Sequence, residues 1–111
     1  MASRVLAIDI DGVICKTEGS DYKNSIPIKE AINKINSLHN KGNKIIIFTA
    51  RFMGRTNNNY KKAHELGYDF TLNQLKSWKL SFDELVFGKP SFDLIIDDKA
   101  FNYSSNWINK I

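Results

Sequence analysis

The side chains of this chain that could do chemistry stand in four places. Asp9 and Asp11 flank Ile10 just before Gly12, Thr49 leads Ala50 and Arg51, Lys89 lies between Gly88 and Pro90, and Asp97 adjoins Asp98. Two carboxylates one residue apart point the same way on an extended chain. At close quarters they repel each other unless a cation or a shared proton relieves them. Such a pair suits a metal site, or an acid beside a nucleophile. It also suits an Asp-rich turn in which Gly12 supplies a positive φ, and on these residues alone the turn is the plainer reading.

The elements that must position these groups can be read from the pattern around them. Val5-Leu6-Ala7-Ile8 is an apolar run ending at the first carboxylates. It suits a strand buried on both faces, as in a parallel α/β sheet. Residues leaving the carboxyl end of such a strand face the crevice where ligands bind. Residues 13–25 are polar and turn-forming, a flap over that end. Pro27 is expected to open a helix, with Ile28, Ala31, Ile32, Ile35 and Leu38 as its apolar stripe. Lys41 suits the last turn, and Gly42 the position just beyond it.

Ile45-Ile46-Ile47-Phe48 is a second buried strand, ending at Thr49. Strand, helix and strand in this order give a right-handed crossover, so both strands end on one edge of the sheet. Residues 52–59 form a loop. Helical character resumes around Tyr60, Ala63, His64 and Leu66 and is expected to stop at Gly67. Thr71 with Gln74 resembles a capping box that starts a further short helix through Leu72, Leu75 and Trp78. Phe82, Leu85, Val86 and Phe87 suggest a third strand, and Leu94-Ile95-Ile96 a fourth ending at Asp97 and Asp98. The link 88–93 between them is shorter than a parallel crossover normally needs. The tail, with Phe101, Trp107, Ile108 and Ile111, is read as a short closing helix or a subunit contact.

Size and composition set the frame. At 111 residues, 42% hydrophobic and 25% charged, the chain is expected to form one globular domain. No run is apolar enough to span a bilayer, and the N-terminus lacks the pattern of a signal peptide. The single cysteine, Cys15, excludes an internal disulfide and fits a reducing compartment. A cytoplasmic location is the expectation, with Cys15 in a packing role. The net charge of +4 comes from scattered lysines without a basic–aromatic stripe. It favours small anions over nucleic acid as partners.

Strand ends thus deliver Asp9, Asp11, Thr49, Lys89, Asp97 and Asp98 toward one edge. A hard cation such as Mg²⁺ prefers carboxylate oxygens, and without a Cys or His cluster zinc is disfavoured. A lysine among carboxylates makes sense where a dianionic phosphate comes between them. At this point the ordered set resembles a known family. Asp9-Ile10-Asp11-Gly12, Thr49 after an apolar strand, Lys89, and Ile95-Ile96-Asp97-Asp98 look like the four motifs of the haloacid dehalogenase superfamily. More narrowly, Thr49-Ala50-Arg51, Phe87-Gly88-Lys89-Pro90 and Ile96-Asp97-Asp98-Lys99-Ala100 resemble small phosphatases associated with bacterial capsule and surface polysaccharides.

The resemblance implies an α/β fold, a three-layer Rossmann-like parallel sheet with a minimal cap or none. It implies a Mg²⁺-dependent phosphomonoester hydrolase in which Asp9 is the nucleophile and Asp11 the acid and base. Thr49 would bind a phosphoryl oxygen, and Lys89 would hold nucleophile and phosphate by charge. Mg²⁺ would be held by Asp9, the Asp11 carbonyl and the final pair, with Asp98 as direct ligand and Asp97 beside it. The short gaps between motifs make this a minimal, cap-poor version. Cover must then come from the 13–25 flap, the 52–59 loop or another subunit of a homo-oligomer. Ala50, Arg51 and Arg55 are placed to meet a substrate anion. The expected substrate is a small phosphorylated sugar or polyol. A nucleotide or nucleic-acid-end phosphatase and a non-catalytic binding module are the competing readings.

Overall fold

The computed structural model describes Ser3–Ile111, and its centre is a three-stranded parallel sheet. The main elements in chain order are β1 (Val5–Ile8), β2 (Cys15–Lys16), β3 (Ile26–Pro27), α1 (Lys29–Asn40), β4 (Lys44–Thr49), α2 (Tyr60–Ser77) and β5 (Glu84–Phe87). The sheet order is β1-β4-β5, with Leu6 opposite Ile45, Ile8 opposite Ile47, and Thr49 opposite Phe87. Residues opposite each other share a face, so one face carries Leu6, Ile8, Ile45, Ile47, Thr49, Leu85 and Phe87. Two right-handed crossovers advancing in the same direction put α1 and α2 on that same face. There α1 buries Ala31, Ile32, Ile35 and Leu38, and α2 buries Ala63, Gly67, Thr71 and Leu75.

The opposite face carries Val5, Ala7, Ile46, Phe48 and Val86, and neither helix covers it. Val5 is 64% exposed. The expected three layers are therefore two among the described residues, and β1 is an edge strand with one open face rather than a doubly buried one. The hydrophobic run of β1 reads as if it were covered because a pattern records burial potential, not the partner that realises it.

Several local expectations are corrected. Pro27 does not open the helix: it pairs with Cys15 in the small β2–β3 ladder, which organises the flap, and α1 begins at Lys29. Helix α2 is one continuous element rather than two broken at Gly67. A Cβ at Gly67 would lie 2.2 Å from the Phe52 ring, so this glycine makes room for a neighbour instead of ending a helix. Thr71 and Gln74 do not form a cap; Asn59 does, its Oδ1 accepting the Lys62 N–H at 3.0 Å.

The third strand forms as β5, parallel to β4. The Asp83 carboxylate fixes its start, accepting the Ile45 N–H at 2.8 Å while the His39 ring lies 3.2 Å away. Leu94-Ile95-Ile96 joins no sheet, and every residue from 91 to 103 is exposed. The short link after β5 cannot carry the chain back for an ordinary parallel crossover. The tail closes in a single 3₁₀ turn, Trp107–Asn109, with Trp107 buried and the turn packed against α1. Among the described residues, no helix is long and apolar enough to cross a membrane.

Candidate functional site

After Ile8 the chain leaves the sheet and winds into a tight turn. Ile10 is fully buried, and its carbonyl accepts the Ile14 N–H at 2.8 Å; Gly12 holds φ at 85°. Only glycine adopts that backbone without strain. The turn reading holds, and the turn splits the two carboxylates. They do not point the same way: Asp9 faces Lys89, and Asp11 faces Arg51.

The Asp9 Oδ1 accepts the Ile10 N–H at 2.9 Å, and its Oδ2 lies 3.6 Å from the Lys89 Nζ. Burial pushes the Asp9 carboxyl above its ordinary value, outweighing the opposing pull of Lys89 and the Ile10 N–H. Lys89 is brought there by β5, whose end is tied to β4: the Lys89 N–H donates to the Thr49 carbonyl at 3.2 Å. A carboxylate with one lysine beside it and a third of its side chain still exposed is a usable nucleophile for an anionic ester.

Arg51 is not where a substrate anion could meet it. It is the largest fully buried side chain among the described residues, 1% exposed. Its Nε donates to Asp11 Oδ2 and its Nη2 to Asp11 Oδ1, both at 2.9 Å. Its Nη1 donates to Gln74 Oε1 at 2.6 Å, and the Tyr22 ring lies 4.7 Å from the guanidinium. This two-pronged pairing is the geometry arginine is built for. The Thr17 hydroxyl adds a 2.6 Å bond to Asp11 Oδ1, and Gln74 donates onward to the Tyr22 carbonyl at 2.7 Å. Asp11, Arg51, α2 and the flap are thereby one network.

Thr17, Tyr22, Thr71 and Gln74 were not singled out as site residues from sequence. The signal was present in Thr71 and Gln74, polar residues on the inward face of a helix, and was read as a cap. Thr49 is buried, and its Oγ1 accepts the Arg51 N–H at 3.1 Å. The Ala50 carbonyl accepts the Met53 N–H at 3.0 Å. Arg55 stays exposed, donating to the Ser20 carbonyl and lying 4.5 Å over the Phe52 ring. Cys15 is buried, its thiol pushed up chiefly by burial, in keeping with a packing role.

Asp97 and Asp98 are exposed, and among the described residues the only bond to either is local, Lys99 N–H to Asp97 Oδ1 at 2.9 Å. Among the described residues no three carboxylate, histidine or cysteine side chains come together as a cation site. The residues as arranged in one copy of the chain therefore do not make the Mg²⁺ site that the resemblance implies.

No family model matches the chain, and no curated protein matches it. Among solved structures it is similar to the crystal structure of an MCSG target from Vibrio cholerae. The two share 27% identity, with a TM-score of 0.81 over 96% of this chain and 94% of that one. The likeness is one of fold. It places this chain among small α/β proteins with a parallel sheet and extends through nearly all of its length.

Proposed function

We propose that the protein is a phosphomonoester hydrolase of the haloacid dehalogenase type, acting through an aspartyl-phosphate on Asp9. The observation that carries this reading is the contact between Asp9 and Lys89 at 3.6 Å, made by residues eighty positions apart in sequence. A lysine beside a nucleophilic carboxylate does two things. It attracts the dianionic substrate, and it offsets charge on the phosphoryl group in transit.

In this reading Asp9 attacks phosphorus, the ester P–O bond breaks, and the leaving oxygen takes a proton from Asp11, which must first give up its two-pronged pairing with Arg51. Water then attacks the aspartyl-phosphate, Asp11 recovers a proton from it, and Asp9 is regenerated with release of inorganic phosphate. Arg51 and Thr17 orient Asp11 within the loop. Arg55, Tyr22 and Phe52 line a shallow pocket beside the flap where the rest of a substrate can rest. The motif resemblance to polysaccharide-associated phosphatases points to a small phosphorylated sugar or polyol. Among the described residues, one copy of the chain does not assemble the ligands of a Mg²⁺ ion.

The test is a panel of phosphomonoesters given to the purified protein in buffer containing Mg²⁺. Sugar or polyol phosphates should be turned over best, and Asp9→Asn should abolish phosphate release while the fold persists. A wild-type protein that releases phosphate from no member of the panel overturns the proposal.

A further inference from the structure

The chain exposes two features that match each other. The first is the outer edge of β1, whose one ladder is to β4; the backbone groups pointing the other way are unpaired among the described residues. The second is the arm 91–103, exposed throughout and carrying Leu94, Ile95 and Ile96 at 78%, 52% and 92% exposure. Between Phe92 and Tyr103 no backbone group bonds to the body of the protein among the described residues. An open strand edge and a solvent-exposed run of strand-forming residues are each unfavourable alone, and pairing removes both costs.

The arm cannot reach that edge in its own copy and arrive the right way round. Its root is pinned at the carboxyl end of the sheet, where Ser91 N–H donates to Asn58 Oδ1 at 2.9 Å in the loop after β4. From there only Phe92 and Asp93 precede Leu94, a span of at most about 10 Å. The foot of β1 lies further, since four strand residues alone cover about 13 Å, before the sideways step past the sheet. Its far end is pinned too, because Trp107 is buried and its turn packs on α1. Laid in the opposite direction, the arm would carry Asp97 and Asp98 to the foot of β1, away from Lys89.

We infer that the arm 92–98 pairs with the β1 edge of a second copy of this chain, as a fourth parallel strand. The two-fold relation makes the exchange reciprocal, so each copy covers the other's edge. Ile95 then stands opposite Ala7, Asp97 arrives opposite Asp9, and the two carboxylates meet the cationic Lys89. The pairing itself does not depend on the phosphatase reading. Its consequence does: each active site would be completed by the partner's carboxylates beside Lys89.

Light-scattering mass measurement of the unmodified chain should give a dimer, and Ile95→Arg should convert it to a monomer. In a Cys15→Ala background, chains carrying Ala7→Cys mixed with chains carrying Ile95→Cys should form a disulfide between copies under mild oxidation. A monomeric wild-type protein overturns the inference, as does a double variant whose bridge closes within one chain. Co-expressed Asp9→Asn and Asp98→Asn chains, each inactive alone, should recover about a quarter of wild-type phosphate release, because half the dimers hold one intact site. Dimerisation without that recovery, in a wild-type protein that is active, removes the shared site.

Discussion

The Asp9–Asp11 loop and the arm 91–103 both present an acidic pair after an apolar run, yet they are built in opposite ways. In the loop every carboxylate oxygen has a partner: Ile10 N–H and Lys89 for Asp9, Arg51 and Thr17 for Asp11. In the arm the apolar residues are exposed and the carboxylates face solvent. The same sequence signal is thus fixed by buried chemistry in one place and waits for a surface in the other. A carboxylate pair becomes a site through the groups that oppose it, not through its own spacing.

The sharpest way to break this comparison is to remove Arg51. Arg51→Ala leaves Asp11 and Gln74 without their buried partner and is expected to cost about 3 kcal/mol in urea unfolding. Asp98→Asn, in the arm, should stay within about 0.5 kcal/mol of wild type. Equal losses would mean that the arm is as firmly held as the loop. Next comes Gly67→Ala, which drives a methyl group into the Phe52 ring behind the same network. A loss of about 2 kcal/mol is expected, and most of it should vanish in a Phe52→Ala background.

The smallest effect concerns Asp9. Its carboxyl is raised from the ordinary 3.8 by burial, so the folded state holds the proton more tightly than the unfolded chain. That contribution is fully present below 3.8 and is lost as pH rises through the folded value. Thermal midpoints measured across this acidic range should therefore show wild type losing ground to Asp9→Asn as pH rises. A wild type that gains instead would place Lys89 above burial in setting the charge.

How far the sequence could be read follows the same division. The first two parallel strands and the α1 stripe were legible because apolar periodicity fixes them, and the Asp9–Lys89 meeting was implied by the motif resemblance. Arg51 was misread as a substrate contact, since nothing in a single sequence distinguishes an arginine bound for solvent from one whose carboxylate lies forty residues back. Gly67 was misread as a stop because its reason, the Phe52 ring, sits in another loop. Leu94-Ile95-Ile96 was read as a strand from its composition. That composition is right for a strand, but the link 88–93 and the anchor at Ser91 keep it from the sheet of its own copy.

The most direct test of Asp9 as nucleophile is to trap the intermediate. Wild-type protein mixed with a phosphomonoester that it hydrolyses, then reduced with borohydride, should yield homoserine at position 9 by peptide mass spectrometry. Asp9→Asn should yield none and release no phosphate. Phosphate release that persists in Asp9→Asn, or reduction at a different carboxylate, would contradict the account.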